Sequence, residues 1–204
     1  MDAGSFRVDR KRALDKLMKF QLPAPRFFAL AWVQAAVAGK ATRISIGEGP
    51  EGLRLECDGP PWSESDLRDP YSAFFNRPPG WRGARAAAFA VGLLSAFRLE
   101  PREIILSSGK RRLRMRGVTE EASEALDVPV DGTVIDVVGV SRAGLESLAG
   151  RCRWCPAELT LMGERVAREE PRGPFLDFSA EGKSGRVWLD TSERPASSIE
   201  LIVY

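Results

Sequence analysis

The chain has 204 residues, and its 30 Lys and Arg residues nearly balance its 28 Asp and Glu residues, so the net charge is only +2. This balance argues against a generally basic protein that binds nucleic acid through its overall charge. The chain has no histidine and three cysteines. It therefore cannot form a Ser-His-Asp or Cys-His catalytic site, it has too few ligands for a structural zinc site, and it is not a disulfide scaffold.

The hydropathy pattern predicts a cytoplasmic protein without a membrane span. Residues 1–12 lack the apolar core of a secretory signal. The sequence also has no run of about 18 apolar residues, which a spanning helix would need.

The spacing of apolar residues predicts helices and strands in alternation. Helical spacing predicts an amphipathic helix over 9–20 and a second helix over 26–38, which is apolar almost all round and therefore buried. Period-two alternation then predicts strands over 42–46 and 53–57. Ser63 is expected to cap a short helix, with Asp66 at the capping-box position.

The remaining predicted elements continue this alternation, which favours an α+β fold with a mixed or antiparallel sheet. They are a loop or lid over 70–83, a helix over 84–97, a hairpin of strands 103–107 and 110–116 that turns at 108–109, an irregular acidic segment over 117–131, a strand over 133–138, a helix over 142–150, a hairpin over 159–166 and short strands from 171 onward. The predicted division is a domain over 1–170 followed by a β-rich extension or the start of a next domain over 171–204. Because residues 199–204 have the pattern of a strand, we expect the chain to be part of a longer protein.

Four segments, taken in order, carry a resemblance to a known family. They are WVQAAVAGKATRISI (32–46), ECDGPPWSESDL (56–67), FAVGLLSAF (89–97) and GTVIDV (132–137). Their order and spacing resemble the nucleotide-binding domain of the GHKL superfamily, which includes DNA gyrase B, the ninety-kilodalton heat-shock chaperones, MutL and sensor histidine kinases. The chaperone branch is the most similar. The resemblance covers residues 6 to about 140 and implies a Bergerat-type two-layer sandwich, in which helices cover one face of a mixed sheet and ATP lies between helices and a lid.

The residues that bind and hydrolyse ATP in that superfamily are missing at the matching positions. Ala31 stands where the family has the Glu that positions water, and Ala35 stands where it has the Asn that holds magnesium. Cys57 replaces the Asp that accepts a hydrogen bond from adenine. The retained positions of this vestigial pocket are Asp58, Gly59, Gly92 and Thr133.

These losses predict a catalytically inactive, chaperone-type ATPase-like domain that acts as a protein-interaction or scaffold module. No cofactor and no metal are expected, and the expected partner is another protein rather than a membrane. A nucleotide-binding switch with weak or atypical ATP binding is the alternative. In a closed pocket, the lid aromatics Phe74, Phe75 and Trp81 would cover the small apolar positions, although aromatics in such a loop also suit a partner surface.

Two further patterns have other interpretations. Four cations share one face of a predicted strand: Lys110, Arg112, Arg114 and Arg116. They could follow nucleic-acid phosphates, which gives a second alternative function, or form the solvated face of an edge strand, where charge discourages aggregation. Cys152 and Cys155 have C-x-x-C spacing but lack the strand-to-helix context of a redox pair.

Overall fold

A computed structural model describes residues 9–20, 24–141, 145, 147–169, 174–180 and 183–188. The helices in these ranges are α1 (Arg10–Phe20), α2 (Phe28–Ala38), α3 (Glu64–Arg68), α4 (Gly80–Phe97) and α5 (Leu148–Arg151), with 3₁₀ turns at Pro25–Phe27 and Ser72–Phe74. The strands are β1 (Arg43–Gly49), β2 (Gly52–Cys57), β3 (Glu103–Gly117), β4 (Glu120–Val138), β5 (Glu158–Leu161), β6 (Glu164–Arg165), β7 (Phe175–Ala180) and β8 (Lys183–Trp188).

Strands β1 to β6 form one mixed sheet in the order β3-β4-β2-β1-β5-β6. β1 and β5 run parallel, and the other neighbours run antiparallel. Alternate residues of the central strands, such as Ile44 and Leu55, are buried in one core with α2 and α4, whereas Arg43, Ser45 and Glu56 on the opposite face are exposed. The predicted α+β class is confirmed.

The contact between α2 and α4 is built around Trp32. Its indole Nε1 donates a hydrogen bond to the Phe89 carbonyl at 3.3 Å, and its ring lies edge-on to Phe28 with 5.2 Å between centroids. A Cβ added at Gly92 would overlap the Trp32 indole ring. Gly92 therefore lets the two helices approach closely, as expected where a side chain fills the space next to a glycine.

The hairpin predicted within 103–116 is wrong. β3 continues through the predicted turn at Ser108-Gly109, and the chain reverses instead at residues 118–119. The segment predicted to be irregular, 117–131, forms most of β4. The reason is a β-bulge: Gly109 has φ +55°, and the pairing register shifts on both sides of it.

The bulge also explains the apolar pattern of β3. Before it, the buried side chains are the even-numbered Ile104 and Leu106; after it, they are the odd-numbered Leu113 and Met115. A shift of one residue exchanges the faces of a strand, so both halves of β3 keep their apolar side chains inside.

The lid prediction is partly wrong, because residues 70–83 include a 3₁₀ turn and the first turn of α4. The predicted cap of α3 is confirmed, since the Ser63 hydroxyl accepts a hydrogen bond from the Asp66 backbone N–H at 3.2 Å. The turn predicted at Met162-Gly163 is also confirmed between β5 and β6.

The C-terminal predictions are only partly covered by the described residues. Of the helix predicted over 142–150, the structure describes α5, while 142–144 and 146 lie outside the described residues. β7 and β8 pair in a separate two-stranded sheet, and the strand predicted at 199–204 also lies outside. Over the described ranges, the helices are either too short or too polar to cross a membrane.

Candidate functional site

The helix positions of the vestigial pocket offer no ligand atoms. Ala31 and Ala35 are both buried on α2. Gly92 lies in the interior of α4 rather than at its start. A backbone N–H in a helix interior bonds to the carbonyl four residues earlier. Gly92 therefore packs against Trp32 and has no N–H group to offer to a phosphate.

The turn positions of the pocket do come together, at the end of β2. Cys57 lies opposite Thr133 in the β2–β4 register. A Cβ added at Gly59 would lie 3.0 Å from the Gly39 carbonyl oxygen. The Gly39 N–H in turn donates to the Ala35 carbonyl at 2.9 Å. The end of α2 and the turn after β2 are therefore in direct contact.

Cys57 presents a thiol at the position where the resemblance predicts a carboxylate. Burial raises the pKa of Cys57, although hydrogen bonds from the Gly59 N–H and the Thr133 hydroxyl and the positive charge of Arg85 oppose this shift. A thiol with a raised pKa is a weak nucleophile and a poor hydrogen-bond acceptor. Cys57 therefore behaves as part of the core.

Asp58, which the resemblance predicts as a retained position, has its carboxylate held by neighbouring residues. Its carboxylate accepts hydrogen bonds from the Thr42 N–H at 2.7 Å, the Thr42 hydroxyl at 2.6 Å and the Arg43 N–H at 2.9 Å. Burial opposes its ionisation, but these hydrogen bonds hold the pKa of Asp58 well below its usual range. Asp58 thus fixes the start of β1 to the end of β2.

Arg85, which the sequence analysis did not single out, fills the space next to Cys57. Its side chain is only 5% exposed, and its guanidinium carbon lies 4.0 Å from the centroid of the Trp62 ring. A Cβ added at Gly39 would lie 2.9 Å from its Nε. Burial lowers the pKa of Arg85, and the charges of Cys57 and Asp66 act in the opposite direction. No Asp or Glu within the described ranges forms an ion pair with it.

Trp62 joins Arg85 to the rest of the core. Its ring centroid lies 4.7 Å from that of Phe89, and its backbone N–H donates to the Ser108 hydroxyl at 2.9 Å. Ser108 also donates to the Gly132 carbonyl at 2.8 Å. Arg85, Trp62 and Phe89 therefore form a continuous packed layer from the end of α2 to β4.

The lid aromatics were predicted to cover this region, but not all of them do so. Phe75 and Trp81 remain 38% and 37% exposed. Phe74 is half-buried, while Tyr71 is buried. The expected covering by Phe75 and Trp81 is wrong, because Arg85 and Trp62 already occupy the space.

Two cavities lie against the sheet. The one between α2 and the sheet, lined by Phe28, Trp32 and Leu55, has about 10 Å³, which is room for one water at most. A larger groove of about 400 Å³ is lined by residues of β1, β2, β4 and β5, and the candidate positions Cys57, Asp58 and Thr133 are among them. Within the described ranges, the His, Cys, Asp and Glu residues form no group of three or more that could hold a metal.

The basic run of β3 is largely neutralised. β3 lies at the edge of the sheet, as one of the two interpretations predicted. Three of the four cations have carboxylate partners: Arg112 with Glu124 at 3.4 Å, Arg114 with Glu103 at 3.0 Å, and Arg116 with Glu103 at 3.5 Å. Lys110 is exposed. This arrangement suits a solvated edge strand better than a phosphate track.

The C-x-x-C pair is buried. Cys152 and Cys155 are 1% and 3% exposed, and both are free thiols. Burial raises the pKa of Cys152 to about 12, and the neighbouring Cys155 adds to the shift. Such thiols are unreactive at neutral pH, so the pair is part of the core.

Comparison with known proteins gives no family model that matches the chain and no matching curated protein.

Proposed function

We propose that residues 1–170 are a GHKL-like domain that no longer binds or hydrolyses ATP and that serves as a protein-interaction or scaffold module. The observation that carries this proposal is the buried Arg85 guanidinium, stacked on Trp62 beside Cys57. In an active relative, the resemblance implies that the nucleotide base lies in this region. Here a side chain of the chain itself takes that space.

The chemistry of the filled site is also wrong for adenine. The adenine amino group is a donor and needs an acceptor, which in the family is a carboxylate. An arginine has five donors and no acceptor, and a thiol is a weak acceptor. The amino group of an adenine entering this site would therefore meet other hydrogen-bond donors instead of an acceptor.

Hydrolysis lacks its parts as well. Positioning water and binding magnesium require oxygen ligands on one helix face. Ala31 and Ala35 supply only methyl groups, and both are buried.

The nucleotide-switch alternative requires Arg85 to leave its place on Trp62. A bound triphosphate could attract the guanidinium, so this alternative has a defined structural cost and can be tested. The nucleic-acid alternative through β3 receives less support, because Arg112, Arg114 and Arg116 already have carboxylate partners.

Thermal unfolding with magnesium and ATP, with ADP, and with sulfate as an anion control tests the proposal. A ligand at roughly 100-fold excess over its dissociation constant would add about 2.7 kcal/mol. For a domain of this size, that corresponds to a rise in Tm of several degrees. We expect no shift with either nucleotide. A shift with ATP that sulfate does not reproduce would refute the proposal.

A companion variant tests the catalytic side. Combining Ala31→Glu with Ala35→Asn restores the missing ligand types on α2. We expect no ATP turnover from this double variant, because Arg85 and Cys57 still block the base site. Turnover above that of the parent protein would show that the base site is usable.

A further inference from the structure

The most exposed part of the lid is a compact positive surface. Every residue from 75 to 82 is exposed. The Nζ of Lys40 and the guanidinium carbon of Arg82 each lie 5.5 Å from the centroid of the Trp81 ring. Arg77 joins them, because a Cβ added at Gly83 in the first turn of α4 would lie 3.1 Å from its Cγ. We call Lys40, Arg77, Trp81 and Arg82 the Trp81 patch.

The cations of the Trp81 patch are not neutralised by the protein. Residues 70–99 contain no Asp or Glu and four Arg. Across the described ranges, no ion pair involves Lys40, Arg77 or Arg82. On β3, by contrast, each of Arg111, Arg112, Arg114 and Arg116 has a carboxylate partner. The free positive charge of this surface thus lies beside Trp81 rather than on the densest basic run.

We propose that the Trp81 patch binds an acidic segment of a partner protein. This inference rests on the proposed function, since it names the kind of partner that an interaction module of this type would take. Trp and Arg are the residues that most often dominate binding energy at protein interfaces. Glutamate and aspartate carboxylates match the fork of donors on Arg77 and Arg82.

The geometry favours an acidic protein segment over single-stranded nucleic acid. A nucleic-acid track combines a long row of cations with open aromatic faces for stacking bases. Here there are only three cations: Arg77 just before α4, Arg82 in its first turn, and Lys40 two residues after the end of α2. The Trp81 ring already has two cations close to it and is only 37% exposed. A base would have to displace those cations, whereas a carboxylate binds to them.

Fluorescence anisotropy with two probes tests the inference. One probe is a short fluorescein-labelled oligoglutamate peptide, and the other is an oligothymidylate of matched charge. We expect the full chain to bind the peptide more tightly than the oligonucleotide, and binding of the peptide to weaken as salt rises. Stronger binding of the oligonucleotide, or no binding of the peptide at low salt, would overturn the proposal.

Variants locate the binding surface. Lys40→Glu combined with Arg82→Glu should weaken peptide binding about tenfold, and Trp81→Ala should weaken it by a similar factor. Lys40→Gln with Arg82→Gln should show a smaller loss, which separates charge from folding. Lys110→Glu, at an exposed cation on β3, is the control for the single reversal Arg82→Glu and should leave affinity unchanged. An equal loss in this control would show that the peptide senses only overall charge and would overturn the assignment.

The same titrations, repeated with magnesium and ATP, separate the two proposals. If the nucleotide leaves Tm unchanged and the peptide fails to bind, only the Trp81 patch assignment is wrong. If ATP stabilises the protein, the proposed function is wrong whether or not the peptide binds.

Discussion

Two variants of Arg85 distinguish the contribution of its side-chain packing from the effect of its buried charge. Arg85→Met keeps a long unbranched side chain but removes the charge. Arg85→Ala removes both the charge and the side chain that packs between Gly39 and Trp62. If Arg85 acts mainly as a filler, the two variants should differ strongly in stability.

The magnitudes follow from the burial of Arg85. The methionine variant loses a cation–π contact that contributes roughly 0.5–2 kcal/mol. It also relieves the burial of a cation that has no ion pair among the described residues, a cost of several kcal/mol per ion. We therefore expect Arg85→Met to be at least as stable as the parent. Arg85→Ala leaves a cavity, so it should lie about 2–4 kcal/mol below the methionine variant.

Urea unfolding, followed by far-ultraviolet circular dichroism, measures these free energies. Arg82→Met, at an exposed position on the same helix, is the control and should change stability by roughly 0.5 kcal/mol or less. A methionine variant as unstable as the alanine variant would refute the reasoning. It would mean that the guanidinium is held by favourable interactions that outweigh its burial.

Three other experiments, two with variants and one with the unchanged protein, test separate parts of the structure. The pKa of Asp58 is lower in the folded state, so its ionised form stabilises the domain above the unfolded pKa of about 3.9, and this contribution is lost as pH falls below that value. Asp58→Asn should cost about 2 kcal/mol at neutral pH and progressively less in acid, measured by urea unfolding across pH. Gly92→Ala should cost roughly 1–3 kcal/mol because its methyl group would overlap Trp32, whereas Gly150→Ala, with no atom nearby, should be neutral. In a thiol-reagent assay, Cys57 should be the first of the three thiols to react, since it is the only one not fully buried.

Each of these predictions has a clear contrary result. An Asp58→Asn penalty that stays constant down to acid pH would mean that the carboxylate is not ionised in the fold. Equal effects at Gly92 and Gly150 would mean that α2 and α4 are not in close contact. Rapid loss of two thiols in the folded protein would place Cys152 or Cys155 at the surface.

The sequence predicts the central elements well because their apolar periodicity is strong. The almost uniformly apolar segment 26–38 becomes a buried helix, and the alternation over 42–46 and 53–57 becomes two paired strands. In both cases, local pattern and tertiary burial favour the same structure. Errors occur where a local signal has two structural meanings. Ser108-Gly109 has the composition of a turn, but a glycine with positive φ also suits a bulge.

The apolar pattern of β3 is compatible with both structures. In a hairpin that turns at 108–109, each strand sets its own alternation. In a continuous strand, the change from Ile104 and Leu106 to Leu113 and Met115 requires an extra residue. The acidic segment 117–131 could then be assigned as the partner strand, because Glu124 offers a carboxylate to the arginines of β3.

The sequence indicates the missing ligands and the retained turn residues of the candidate site, but it does not indicate Arg85, which fills the space beside them. Arg85 lies in the run ARAAAFAVG, where small apolar residues surround one cation. In an amphipathic helix, the polar face would carry other charged residues, and here none follows until Arg98. Arg85 is an isolated cation among alanines, on a helix that packs against α2. Such a side chain either extends its charged end to solvent or packs its guanidinium on an aromatic ring. The Gly39 backbone and the Trp62 ring provide the second option. The number of cations in a stretch of sequence therefore does not predict which of them lack a carboxylate partner. The clustered arginines of β3 have such partners, the isolated Arg85 is buried, and the cations around Trp81 are exposed to solvent.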